Sequence, residues 1–232
     1  MRIDDVTRRA QGWARRHPWA GELAFAVVLA AAVLPVSVGM IREGDVGSGW
    51  AVSLYAALGA MHAGLCFRVR APLIAFAVAA AAELLLAIAP YLTDPDTAAT
   101  YPAVLLPSST AYLVAAYSLS AAGRGAWPVL SLLVGVSGSL IVTVRVWLSG
   151  SAPALTAGDS SDLLFLTGLL LATVVAAWAL GRFRRLRAEQ MVALVERARR
   201  AESDRDRSQR EAAADERGRI ARELHDVIAH SV

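Results

Sequence analysis

A histidine, an aspartate and a second histidine lie close together near the end of the chain, at His225, Asp226 and His230. A neutral imidazole is a competent nucleophile toward phosphorus, and a carboxylate bonded to one ring nitrogen fixes the tautomer that leaves the other nitrogen free to attack. Asp226 and His230 are four residues apart and therefore share one face of a helix. These residues are candidates for phosphoryl transfer at His225.

The sequence around His225 has the period of an amphipathic helix. On a helix that turns by about 100° per residue, His225 falls at the edge of one apolar arc, where an imidazole can be supported by packing and still reach solvent. Such an arc requires a partner helix. A His-Asp pair in isolation is better explained as charge that solvates a helix surface. The arc consists of Ile220, Ala221, Leu224, Val227 and Ile228.

The whole segment from Glu216 to Ser231, called the histidine box below, is more specific than the pair. It closely resembles the pattern Glu-Arg-x-Arg-Ile-Ala-Arg-Glu-Leu-His-Asp of bacterial two-component sensor histidine kinases with a subgroup-3 dimerisation and phosphoacceptor domain. The resemblance implies that His225 is the phosphoacceptor and Asp226 the general base. It places His230 in the phosphatase motif Asp-x-x-x-Gln or Asp-x-x-x-His, which orients water on the phosphorylated response regulator.

The same resemblance implies partners and a cofactor. Kinases of this group form homodimers through a four-helix bundle with two helices from each subunit, and they pass the phosphoryl group to the receiver domain of a response regulator. A separate domain after the dimerisation helices binds their ATP and Mg. No Asn-rich and Gly-rich boxes of that domain follow His225 up to Val232, so we expect a truncated chain that is inactive alone. Direct contact with nucleic acid is not expected.

The composition predicts a membrane protein that contacts lipid. Of the 232 residues, 56% are hydrophobic and only 19% are charged, and the mean hydropathy is +0.47, unlike the average soluble domain. Cys66 is the single cysteine, which excludes a disulfide framework and a thiolate metal cluster. We predict no metal site and an all-α fold, in which a polytopic membrane domain precedes a long cytoplasmic signalling helix that enters the dimerisation helix.

About six apolar runs approach the roughly 20 residues that a transmembrane helix needs. Arginine accumulates on the cytoplasmic side of short loops, and here it marks the N-terminal arm, the second and fourth loops and the exit near Arg182, whereas the opposite loops hold only Arg42. This bias predicts an even number of spans in a multi-pass protein of the bacterial cytoplasmic (inner) membrane, with both termini cytoplasmic. The runs lie near residues 22–41, 50–67, 71–91, 101–122, 127–148 and 162–181.

Three ionisable residues fall inside the predicted spans: His62 in the second, Glu83 near the middle of the third and Arg145 near the outer end of the fifth. Ionisable groups at such depth are costly and mark functional sites by default, so these residues are candidates for sensing. Structural alternatives stay open, because Arg145 can snorkel to the interface and Glu83 can be protonated and hydrogen-bonded. A contact between His62 and Glu83 is a further hypothesis.

These patterns divide the chain into a cytoplasmic N-terminal arm (1–19), a transmembrane sensor domain (20–181), a cytoplasmic linker helix (182–215) and the start of the dimerisation and phosphoacceptor domain (216–232). The expected function is a sensor histidine kinase. Its outward loops are too short to hold a folded ligand-binding domain, so we expect it to perceive a membrane-associated stimulus. Two alternatives are a small polytopic transporter or scaffold, and a non-catalytic truncated kinase that acts only by dimerisation.

Overall fold

A computed structural model describes residues 18–94, 100–149 and 160–230, and of residues 18, 160–162, 214–215 and 220–230 it describes the backbone only. The predicted N-terminal arm therefore lies almost wholly outside the described residues. The described part is nearly all helical, which confirms the predicted all-α class and the long C-terminal helix. The helices are α1 Pro18–Glu43, α2 Ser48–Leu65, α3 Pro72–Ile88, α4 Thr110–Ala122, α5 Trp127–Ser149 and α6 Ser160–His230.

A small antiparallel strand pair lies in the connection between α3 and α4. Strand β1, Leu92–Thr93, pairs with strand β2, Thr100–Tyr101, in a register that places Leu92 opposite Tyr101. Leu92 is fully buried and packs against Gly44, at the end of α1, where an added Cβ would lie 3.0 Å from a Leu92 side-chain atom. The strand pair therefore lies at the end of the first unit where α1 and α3 terminate.

Three of the helices, α1, α5 and α6, are long and apolar enough to cross a membrane. Helices α2, α3 and α4 occupy the other apolar runs but are shorter, with 18, 17 and 13 residues. Large apolar side chains on the three long helices point outward, which is the arrangement expected where the surroundings are lipid. Examples are Val28, Leu133, Trp147, Leu164 and Phe165.

Helix α4 is shorter than the run at 101–122 predicts, because this segment becomes helical only at Thr110. Its first part forms strand β2 and two 3-10 turns, Ala103–Leu105 and Pro107–Ser109. Pro102 and Pro107 account for the difference. Proline has no backbone N–H, and it disfavours the helical conformation in the residue before it.

The chain forms two compact units, residues 1–185 and 186–232. In the first unit, the core lies where α2, α3 and α4 meet, and its many alanines let the helix axes approach closely. Helix α1 is tied to this core through Ser37, whose hydroxyl accepts a hydrogen bond of 3.0 Å from the backbone N–H of Ser108. Buried core side chains include Leu54, Met61, Ala79, Leu86, Ala115 and Leu119.

In the second unit, every described side chain from Leu186 onward is exposed. Ion pairs within one helix join Arg200 to Glu196 at 3.1 Å and Arg207 to Glu211 at 2.9 Å. Exposed pairs of this kind contribute only about 0.3–0.5 kcal/mol each, so they support the helix without supplying a core.

Helix α6 packs very closely on α4 at Gly181. A Cβ placed on Gly181 would lie 2.5 Å from the backbone oxygen of Tyr117, so only glycine allows this approach. Three hydrogen bonds hold the same region of α6: Trp178 Nε1 donates to the Pro128 carbonyl at 2.8 Å, Arg184 to the Tyr117 hydroxyl at 3.1 Å, and Arg185 to the Gly123 carbonyl.

We predict that two glycine substitutions on α6 differ in their effect on the free energy of unfolding. Gly181→Ala forces a methyl group against Tyr117 and lowers the free energy of unfolding by about 1–3 kcal/mol, the usual cost of overpacking. Gly168→Ala meets open space and leaves that free energy unchanged or raises it by up to about 1 kcal/mol, because alanine favours the helix. Thermal unfolding of the purified proteins in lipid nanodiscs measures both effects, and equal midpoints would contradict the close packing.

Candidate functional site

Helices α3, α4, α5 and α6 surround a cavity of about 790 Å³, called the Glu83 cavity below. Its walls are mostly aliphatic side chains, including Leu84, Leu113, Leu133, Val142 and Leu170. Three polar atoms of its lining are buried and have no hydrogen-bond partner: Glu83 Oε2, Ser109 Oγ and the Tyr112 hydroxyl oxygen. Unpartnered buried polar atoms are rare in folded proteins, so this cluster requires an explanation.

The proline-induced break before α4 positions two of the three groups. Pro107 begins a 3-10 turn that ends at Ser109, and Tyr112 follows in the first turn of α4. Glu83 comes from the preceding helix α3. Ser109 and Tyr112 both lie near enough to the Glu83 carboxyl group to influence it, although neither hydroxyl makes a hydrogen bond of standard geometry. The three oxygens therefore form one polar spot in an otherwise apolar wall.

Two glycines of α5 determine how much space the cavity has. A Cβ on Gly135 would lie 2.9 Å from the Tyr112 hydroxyl oxygen and 2.5 Å from Val174 Cγ1, so glycine is required for both side chains to fit. Gly138 also lines the cavity, and a Cβ there would meet no atom within 4 Å. A larger side chain at position 138 is therefore accommodated without a clash at its first atom.

Within the described part of the chain, no cationic side chain pairs with Glu83. An ionised carboxylate in apolar surroundings is costly unless a positive charge or several hydrogen bonds compensate it. The Ser109 and Tyr112 hydroxyls can each accept a hydrogen bond as well as donate one. The site therefore offers three oxygen acceptors to a ligand that carries donors or positive charge.

His62 makes no hydrogen bond to the three oxygens of this polar spot. His62 is buried with 7% of its surface exposed, and its Nδ1 donates to the Leu58 carbonyl at 2.9 Å. Its Nε2 is buried without a partner. Neither ring nitrogen of His62 therefore forms a hydrogen bond with Glu83, and a contact between the two residues stays a hypothesis.

Arg145 caps the C-terminus of α3. Its two terminal nitrogens donate to the carbonyls of Ala87 and Ala89, and its guanidinium carbon lies 4.9 Å from the ring centre of Tyr91. The last carbonyls of a helix have no partner inside the helix, and a cation there is favourable. These contacts assign Arg145 a structural role, next to any part it has in sensing.

The histidine box from Glu216 to His230 lies on α6, whose helical backbone extends to His230. The side chains of His225, Asp226 and His230 lie outside the described residues, so their predicted roles stay predictions. Among the described residues, no group of three His, Cys, Asp or Glu side chains comes together to hold a metal ion.

Sequence reasoning found Glu83 but missed its neighbours Ser109 and Tyr112. Serine and tyrosine are common in apolar helices, so neither residue stands out by type. The signal that could have located them is Pro107, which breaks the expected helix and brings a serine and a tyrosine to one end of α4.

We predict that Arg145→Met destabilises the first unit. It leaves the carbonyls of Ala87 and Ala89 without their charged donor, and hydrogen bonds to charged groups contribute about 1.5–3 kcal/mol. Thermal unfolding in nanodiscs measures the loss. The control is Arg197→Met, which removes an exposed arginine of the second unit and leaves the unfolding of the first unit unchanged. A melting curve of Arg145→Met that coincides with the wild type would contradict the capping role.

Most of the chain matches a known protein family. Residues 10–188 match a family described as "Domain of unknown function (DUF7134)". No curated protein and no solved structure matches the chain. The matched region includes His62, Glu83 and Arg145 and ends before the histidine box. Because the match covers most of the 232 residues, the chain belongs to the DUF7134 family of domains of unknown function.

Proposed function

We propose that this chain is the membrane-sensing and phosphoacceptor part of a bacterial sensor histidine kinase. The observation that carries the proposal is the histidine box, in which Glu216 to Asp226 reproduce a kinase pattern nearly without a break. The helical backbone of this segment supports the proposal, since the phosphoacceptor histidine of that pattern lies on a dimerisation helix. In this reading, His225 accepts a phosphoryl group and passes it to an aspartate of a response regulator.

Contacts within the first unit support a topology with alternating spans. Arg68, in the loop between α2 and α3, lies 4.0 Å from the ring centre of Phe25 and within electrostatic reach of Arg184. These contacts place the start of α1, the loop between α2 and α3, and the region of α6 near Arg184 at the same end of the first unit. Tyr91 and Ser149, which follow α3 and end α5, are joined at 3.2 Å and mark the other end. The arginine-rich end is the cytoplasmic one in this proposal.

The second unit supports a homodimer. Four apolar side chains, Leu186, Met191, Leu194 and Val195, have between 49% and 61% of their surface exposed. Met191 lies three and four residues before Leu194 and Val195, so these three share a helix face. A second copy of this helix would bury them.

Mg-ATP is expected to be held by a separate domain in kinases of this pattern. Among the described residues, no three His, Cys, Asp or Glu side chains come together to hold a metal ion. Phosphoryl transfer depends mainly on positioning and on charge stabilisation around the phosphates. In this proposal an ATP-binding domain meets His225, and the described residues of this chain supply the acceptor helix and its orientation.

We predict that the chain in nanodiscs takes up labelled phosphate from ATP only after the ATP-binding domain of a subgroup-3 kinase is added in trans. The label should be alkali-stable and acid-labile, as phosphohistidine is. His225→Gln abolishes it, and Asp226→Asn slows it by about a hundredfold or more, the range for loss of a general base.

His230→Gln is the matched control, because it changes a neighbouring histidine whose predicted role is in dephosphorylation. It should retain the labelling of the wild type. Labelling that survives His225→Gln would contradict the proposal. A second result would also contradict it: no form of the chain is labelled, although the same ATP-binding domain phosphorylates its own dimerisation domain.

A further inference from the structure

We propose that the Glu83 cavity binds the primary ammonium group of a membrane amphiphile, with the ammonium on Glu83, Ser109 and Tyr112 and the alkyl chain along the aliphatic wall. This inference goes beyond phosphotransfer and does not depend on the kinase assignment. It follows from the cavity, its three unpartnered oxygens and the side from which it can be reached.

The polar spot matches an ammonium group in the number and kind of its hydrogen bonds. A primary ammonium carries three N–H donors and no acceptor. The lining offers three unpartnered oxygens, on Glu83, Ser109 and Tyr112, and each can accept. One bound group would thus satisfy all three oxygens and supply the positive charge that the Glu83 carboxylate lacks among the described residues.

The rest of the cavity matches an alkyl chain. Its volume of about 790 Å³ falls within the usual range of small-molecule pockets, about 300–1,000 Å³. Away from the polar spot, the lining is dominated by leucine, valine, isoleucine and alanine from α3, α5 and α6. Such walls favour burial of apolar surface.

In this proposal the cavity is reached from the lipid side. Leu130, Leu133 and Ile141 of α5 line it and have 45%, 55% and 46% of their surface exposed, so they do not close it off from the surroundings of α5. These side chains belong to a helix that is long and apolar enough to cross a membrane. A ligand that partitions into the bilayer can therefore enter directly from it.

Charge favours an ammonium over other head groups. A carboxylate or phosphate head would meet the Glu83 carboxylate without a compensating cation, since Arg145 is engaged with the Ala87 and Ala89 carbonyls. A neutral alcohol can donate one hydrogen bond to Glu83 and accept from the two hydroxyls, but it supplies no positive charge to the Glu83 carboxylate. The order of affinity expected from these contacts is amine, then alcohol, then fatty acid.

The test uses dodecylamine as the probe and the full chain in phosphatidylcholine nanodiscs. Binding of radiolabelled dodecylamine is measured at equilibrium, with empty nanodiscs as the background. We expect saturable binding of one molecule per chain, which dodecanol and dodecanoate at equal concentration do not displace. Absence of saturable binding above the background would overturn the proposal, and so would equal displacement by dodecanol.

Two substitutions test the two halves of the site. Glu83→Gln keeps the shape but removes the charge, and it should weaken dodecylamine binding by about tenfold or more, since hydrogen bonds between charged groups are the strong ones. Gly138→Leu places a leucine side chain in the Glu83 cavity and should abolish dodecylamine binding. Gly168→Leu is the matched control, because a Cβ there also meets open space and the residue does not line the cavity.

Tyr112→Phe provides a test that does not change charge or the fit of the ring, and it should weaken binding severalfold. Wild-type affinity in both Glu83→Gln and Gly138→Leu would overturn the proposal.

Nanodiscs that contain phosphatidylethanolamine distinguish the source of the ammonium. Reduced dodecylamine binding in them identifies an aminophospholipid as the occupant, and unchanged binding identifies a free amine.

Discussion

The connection between α3 and α4 places non-helical backbone beside apolar helices, and its polar groups must find partners there because such surroundings supply none. Arg145 donates to the carbonyls of Ala87 and Ala89 at the end of α3. Ser37 of α1 accepts from the N–H of Ser108 just before α4 begins. These two contacts join α5 and α1 to the non-helical connection between α3 and α4. The packing of the first unit therefore depends on the hydrogen bonds that the backbone of this connection finds.

The Glu83 cavity is a consequence of the same break. If the segment from residue 101 were helical throughout, α4 would continue along α3, and no turn would end at Ser109 beside the Glu83 carboxyl group. The prolines at 102 and 107 shorten α4 to 13 residues, and Gly135 leaves room for the Tyr112 hydroxyl. The two prolines that shorten α4 thus also produce the polar spot that a ligand can use.

The sequence predicts the helical class, the positions of the apolar segments and the long last helix, because mean hydropathy and the absence of proline after Pro153 are enough to define them. It also identifies Glu83 and Arg145 as unusual, since charge in an apolar run is conspicuous. It does not predict that Arg145 bonds two carbonyls of another helix, or that Ser109 and Tyr112 meet Glu83. Those contacts depend on tertiary packing and on the local effect of Pro107, which hydropathy averages over. Gly181 is missed for the same reason, because its importance comes from a backbone oxygen of α4.

The proposed function requires that the helices cross the membrane with alternating direction, so that α6 leads to the histidine box on the cytoplasmic side. Cysteine accessibility tests this requirement most directly. Single cysteines at Asp45, Arg124 and Ser203, in a Cys66→Ser background, are exposed to a membrane-impermeant maleimide in right-side-out and inside-out vesicles. The account predicts that only position 45 is labelled in right-side-out vesicles, and only positions 124 and 203 in inside-out vesicles. Labelling of positions 45 and 203 from the same side would contradict it.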